Sequence, residues 1–237
     1  MGTINLLYKN EITITDKISV VIPTVGDILE NEEEYYNLVG LLTAAPIDLM
    51  VALNEANVDF TSINDFELFV ILLPALQSLD THNVLKDIDL SKFRLQTRGD
   101  SGVIVVRDPE TGAVIDRVVH ARIAEAIRKL HGMTRDKRKP IDKETQEYML
   151  KRAKEKASRK KKSQFSNLEQ LIVALVNTEQ YKYNYEETLG LTIYQFNESV
   201  RQIQKKIVYE HTMNGVYAGT VDPKKLSQQD LSWLSNN

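Results

Sequence analysis

The chain has 237 residues, 42% of them hydrophobic and 27% charged, with a formal net charge of -3 and no cysteine. That length allows one large domain or two smaller ones, and the apolar fraction supports a packed core rather than wholesale disorder. The lack of cysteine excludes disulfides, thiolate metal sites and cysteine nucleophiles, and no apolar run approaches the ~20 residues needed to cross a bilayer.

From the N-terminus, Glu11 to Thr15 and Ile18 to Pro23 alternate β-branched and polar residues and predict two short strands joined by Asp16-Lys17. Thr24 is a good N-cap for a helix carrying Val25, Ile28 and Leu29, with Asp27 at the capping-box position. An acidic patch, Glu30 to Glu34, leads into a second helical stretch, Tyr35 to Leu42. Pro46 suits the first turn of a helix predicted over Ile47 to Asn54. Ser62-Ile63-Asn64-Asp65 caps a strongly apolar helix through Phe66, Phe69, Leu72, Leu73 and Leu76.

A hairpin follows, with strands near Phe93 to Gln96 and Val103 to Arg107. A turn at Asp108-Pro109-Glu110-Thr111-Gly112 sends Ala113 to Arg117 back antiparallel. A two-stranded hairpin is unstable alone, so it must pack on helices or pair with the N-terminal strands. Val119, Ile123, Ala126, Ile127 and Leu130 continue as an amphipathic helix stopped by Gly132. Between Thr134 and Lys162 the apolar stripe disappears, and 13 Lys or Arg face 5 Asp or Glu. Ile141 to Lys162 reads as an exposed, Lys- and Glu-rich helical linker.

Beyond it, Leu168, Leu171, Ile172, Leu175 and Val176 resume a core-facing pattern. Tyr181 to Tyr185 and Thr188 to Leu191 read as a connection. Thr192, with Gln195 three residues on, then caps a long helix. Ile193, Phe196, Val200, Ile203 and Ile207 run at i, i+3, i+7, i+10 and i+14, one stripe along one face. Gly215-Val216-Tyr217-Ala218-Gly219 reads as a helix break, and the polar tail ends on the only tryptophan, Trp233.

No catalytic set of comparable clarity occurs. His82, His120, His131 and His211 are scattered and form neither an HxxxH nor an HExxH spacing, so neither a metal nor another cofactor is expected. His120, beside Asp116 and Arg117, reads as a surface or interface residue. Asp108, Glu110 and Asp116 could do acid–base work as paired carboxylates, but their place around a turn favours solubility and turn geometry. Gly99-Asp100-Ser101-Gly102 echoes the GDSG around a protease serine, yet no partner base or oxyanion hole is visible in the pattern. The expectation is a protein that is not an enzyme.

Lys151, Arg152, Arg159, Lys160, Lys161 and Lys162 are candidate phosphate contacts, whose binding would weaken steeply with salt. No aromatic interleaves them to stack bases and no known nucleic-acid module surrounds them. A solvated helix tethering two parts, or contact with an acidic protein surface, fits better, and nucleic acid is not the expected partner. Met1-Gly2-Thr3-Ile4-Asn5 lacks the basic-then-apolar layout of a signal peptide. Neither a membrane nor secretion is expected, and the composition fits a cytosolic location.

Three stretches carry a resemblance: Ile22-Pro23-Thr24-Val25-Gly26-Asp27-Ile28-Leu29 with Tyr35-Tyr36, Leu191 to Val200, and the ending from Gly215 through Asp222, Leu226 and Asp230-Leu231-Ser232-Trp233. Together they resemble proteins encoded by tailed phages and prophages of Gram-positive bacteria. The resemblance spans most of the chain and transfers no catalytic residue. It implies a virion-morphogenesis factor in the cytoplasm of a host cell, above all a tail assembly chaperone, with a structural connector or minor component located in the virion as the alternative.

The expected fold is α+β: an N-terminal domain over 1–132, a basic helical linker over 133–165 and a helical C-terminal domain over 166–237. The expected partner is a phage tail or tape measure protein, with a second copy of the chain as a further candidate. Phe196, Val200, Ile203, Tyr217 and Trp233 are the candidate contacts. A nucleic-acid-associated regulator or packaging factor acting through 151–162 is the second alternative.

Overall fold

A computed structural model describes residues 6–99, 102–159, 167–227 and 230–234. The fold is α+β, with two small antiparallel sheets set among helices. Strands β1 (Glu11–Thr13) and β2 (Ser19–Val21) form the first hairpin, Ile12 opposite Val20. Both of those side chains are buried. The short helix α1 (Val25–Glu30) opens on the expected reciprocal cap: Asp27 N–H donates to Thr24 Oγ1 at 3.1 Å, and Thr24 N–H donates to Asp27 Oδ2 at 2.8 Å.

Helix α2 (Glu32–Thr43) buries Tyr35, Leu38, Val39 and Leu42. The next helix starts later than proline placement predicts, as α3 (Met50–Glu55). Residues 46–49 form turns instead, held where Ala45 N–H donates to Asp48 Oδ2 at 2.8 Å. Asp48 thus satisfies a turn donor before a helix can begin. Helix α4 (Asp65–Leu76) carries a second reciprocal cap, between Asn64 and Glu67, and is followed by one turn of helix, α5 (His82–Leu85).

The second sheet has the order β3 (Arg94–Arg98), β4 (Val103–Arg107), β5 (Val114–Ile115). It does not pair with the N-terminal hairpin. Its base is buried through Val105, Val106 and Ile115, while Leu95, Val103 and Ile104 are exposed. The acidic residues around its turn are taken up locally. Asp108 accepts from Glu110 N–H at 2.9 Å, Glu110 pairs with Lys92 at 3.0 Å, and Asp116 caps the next helix. Asp100 and Ser101 lie outside the described residues.

Helix α6 (Arg117–His131) ends as expected at Gly132, with φ +61°. Met133 N–H returns to Arg128 O at 2.8 Å, the six-to-one bond of a Schellman turn. Helix α7 (Lys143–Arg159) has one exposed face, as its composition predicts, but the other rests on α3. Met149 packs on a small apolar cluster with Leu53 and Phe60, Gln146 Nε2 donates to Asp59 at 2.8 Å, and Lys154 reaches Asn54 at 3.1 Å.

Then come α8 (Asn167–Val176), α9 (Tyr185–Gly190) and α10 (Ile193–Tyr217). The segment expected to be a plain connection contains α9, closed by a third reciprocal cap between Asn184 and Glu187. One apolar cluster runs through all of this. Leu168, Ile172, Leu175, Tyr181, Ile193 and Phe196 share it with Val20, Ile28, Leu42, Phe69 and Ile127. The main core is therefore continuous from residues near the N-terminus to the start of α10.

Two histidines on α6 face inward. His120 is 3% exposed, which corrects its assignment to the surface. Its ring lies 4.6 Å from the Phe69 ring centroid and hydrogen-bonds the Leu42 backbone. The His131 ring nitrogen meets Tyr35 Oη at 2.9 Å. Burial pushes both imidazoles down to about 4 and pushes the Tyr35 phenol up.

The unfolded chain, with imidazoles near 6.5, therefore binds protons that the folded chain refuses. Stability is full above pH 6.5 and falls as the pH drops toward 4. Urea unfolding should show a loss of roughly 2 kcal/mol between pH 7 and pH 5 from the buried His120 ring, and a smaller loss in the same direction from the partly exposed His131. A flat profile over that interval would contradict the buried, neutral assignment.

Candidate functional site

Helix α10 is 25 residues long, and its two halves differ. The first turn is fixed from several directions. Thr192 and Gln195 exchange a reciprocal cap, and Gln195 Nε2 reaches back to Leu7 O at 2.6 Å. Ile193 N–H donates to Pro23 O at 2.8 Å, while Val25 N–H donates to Leu191 O at 2.9 Å. Thr24 and Thr192, the N-caps of α1 and α10, thus sit side by side as an isolated antiparallel bridge. One turn on, Asn197 Nδ2 donates to Leu130 O at 3.1 Å, tying α10 to the end of α6.

The apolar stripe then runs outward from this root. Ile193 and Phe196 are fully buried, and Val200 and Ile203 are partly buried against the same core. Ile207 lies beyond the residues that pack there. No described residue after Phe196 is buried. Along the distal half, Val208 is 65% exposed and Tyr217 is 81% exposed. Among charged groups there, Lys206 and Glu210 form an i,i+4 pair at 3.6 Å.

This arrangement changes the role of one expected contact. Phe196 is a structural residue that seats the helix, because its ring is sealed in the core and presents no surface. A 3.6-residue stripe shows that one face is covered but not by what. Val200 and Ile203 mark the edge where covering ends. Tyr217 and Trp233 are on the surface, with Trp233 41% exposed between Leu231 at 46% and Leu234 at 65%. Val208, Leu231 and Leu234 join the exposed set without having been expected. Val208 falls off the stripe, and that departure from periodicity was the available signal.

The glycine-rich segment ends the helix as expected, but through Gly219 and not Gly215. The helix passes through Gly215 and ends at Tyr217, with Gly219 at φ +72°. Thr220 N–H bonds Gly215 O at 2.9 Å and Gly219 N–H bonds Val216 O at 3.1 Å, a second Schellman turn. Gly215 serves a packing need rather than a break. A Cβ built there would stand 2.7 Å from Val221 Cγ2, so its bare backbone lets the returning chain lie against the helix. Asp222 and Pro223 then start a single 3₁₀ turn.

On α7, Lys151 and Arg152 are exposed, and the Arg152 guanidinium lies 6.0 Å from the Tyr148 ring centroid. The side chain of Arg159 and residues 160–162 lie outside the described residues. Among the described residues no three His, Asp or Glu side chains are grouped to hold a metal ion, and no helix is long and apolar enough to cross a membrane.

Substituting alanine for a helical glycine ordinarily stabilises by about 1 kcal/mol. For Gly215→Ala the contact with Val221 should cancel that gain, and Gly215→Ala with Val221→Ala should restore it. Urea midpoints of the two variants decide the point, and stabilisation by Gly215→Ala alone would show that the tail does not return as described.

The family model of the YomV second domain matches residues 159–237, about a third of the chain. That span takes in α8, α9, α10 and the tail that follows it. No curated protein and no solved structure matches the chain. Residues 159–237 are thus similar to the second domain of YomV, a Bacillus prophage-type family, and the similarity supports a phage protein.

Proposed function

We propose that the chain is a non-catalytic phage assembly protein that docks another polypeptide through the distal half of α10 and the Leu231–Leu234 tail. The observation that carries this reading is the asymmetry of α10. Its root is sealed into the common core, and past Phe196 no described side chain is buried. A helix rooted at one end and uncovered at the other can present exposed apolar side chains to a second polypeptide. The exposed apolar residues, Val208 and Tyr217 on α10 and Leu231, Trp233 and Leu234 on the tail, include the aromatic types that anchor interfaces.

The similarity to a phage family and the resemblance to tail-morphogenesis proteins favour a tail or tape measure protein as the occupant. An aggregation-prone helical tape measure needs an apolar surface to lie against while it awaits assembly. On this reading the protein works in the cytoplasm of the host as a tail assembly chaperone. A structural connector would use the same surface but stay in the finished particle.

Trp233 is the only tryptophan, so its emission reports directly on the docking tail. Titration with the purified tape measure or tail protein should shift that emission to the blue as the indole leaves water. Trp233→Ala with Val208→Asp should weaken the complex at least tenfold, as loss of an interface anchor does. Absence of both complex and spectral shift would refute the proposal. Mass spectrometry of purified particles separates the two roles: a connector is retained, and a chaperone is missing.

A further inference from the structure

A cleft of about 390 Å³ opens between the turn after α2, the loop before α4, the start of α6 and the segment that follows α6. Its lining includes the apolar residues Ala45, Ile47, Phe60 and Ile63. Its charged lining is five cations against one acid. Two of the cations are already matched: Arg135 makes a two-pronged bond to Asp65 at 2.7 Å on each prong, and Arg138 pairs with Asp136. These pairs hold both carboxyls below the usual range.

Arg117, Lys137 and Lys139 also line the cleft and are exposed, with no ion pair to any described residue. Unmatched like charges around a cleft repel one another and give it a positive potential. In a chain whose net charge is -3 this is a local basic patch, and an anion entering the cleft would offset the repulsion. The neighbouring surface indicates which anion. Pro140 leads from the cleft directly to α7, which Gln146 holds against Asp59, next to the Phe60 wall. Further along α7, Tyr148, 61% exposed, lies under Arg152 and one turn from Lys151.

Exposed aromatic rings beside cations give bases a stacking face while the cations take the backbone. The sequence pattern hides this arrangement, because Tyr148 precedes the basic run and meets Arg152 only through the i,i+4 geometry of a helix. We propose that this cleft and the exposed face of α7 form a binding track for single-stranded nucleic acid, with Arg117, Lys137 and Lys139 on the phosphates and Tyr148 under a base. The docking surface on α10 involves none of these residues, so the two readings stand or fall separately.

The test is fluorescence anisotropy of a labelled oligodeoxythymidylate with the full chain. Three phosphate contacts on a single strand predict about a 20-fold loss of affinity between 50 and 200 mM salt. Lys137→Glu with Lys139→Glu should lower affinity at least tenfold, and Tyr148→Ala should weaken binding with the salt slope unchanged. Lys224→Glu with Lys225→Glu, an equal change of charge on an exposed turn elsewhere, should leave binding intact. No binding at low salt, or equal loss in the two charge-reversal variants, overturns the proposal. Displacement by dTMP as effective as by unlabelled oligomer identifies a free-nucleotide site and overturns the assignment to a polymer. Equal competition by polyglutamate identifies an acidic-peptide surface and overturns it as well.

Discussion

The structure turns on how the first turn of α10 is held. Every helix start leaves N–H groups without intrahelical partners. Here that need is met by a side-chain cap and by a main-chain exchange with a segment almost 170 residues earlier. Pro23 O accepts from Ile193, Leu191 O accepts from Val25, and Gln195 reaches Leu7. The two threonine caps stand next to each other, so the starts of α1 and α10 are fixed by one local arrangement. Ile193 and Phe196 then enter the core a single turn apart. Full burial of side chains of that size contributes about 1.5–3 kcal/mol each, enough to set the direction in which the rest of the helix leaves.

From that root the remaining architecture has a simple consequence. A 25-residue helix extends about 37 Å at 1.5 Å per residue, and its apolar covering ends near Ile203. The distal half keeps its helical form through i,i+4 support and a Schellman turn closed over Gly215. It does not have the burial that stabilises the first half. The proposed docking surface therefore lies on the half of the helix where apolar side chains remain accessible. The anchoring half, to which Phe196 belongs, makes that presentation rigid.

What could be read from the residues was whatever is decided locally. Reciprocal caps at Thr24 and Thr192 were legible because both partners lie within four residues, the start of α4 was legible in the run Ser62 to Asp65, and Gly132 was legible as a helix stop. The α+β class followed from the same local patterns. Properties decided by distant contacts were hidden. His120 looked superficial because nothing local says that Phe66 and Phe69 will enclose its ring. Gly215 looked like a break because the reason for it, Val221 Cγ2, arrives from a chain reversal. Helix α9 was missed because its six residues are too few for a periodic signal, although Asn184 and Glu187 spelled out the cap. The stripe on α10 was right as a stripe. Which part of it would be covered depended on residues near the other end of the chain.

Amide hydrogen exchange on the free protein tests the central claim, that α10 is anchored at one end and available at the other. Amides from Phe196 to Ile203 should exchange as slowly as those of α2 and α6, because opening them requires opening the shared core. Amides from Ile207 to Tyr217 should exchange much faster, and should slow when a partner is added. Equal, core-like protection along the whole helix in the isolated chain would contradict the account.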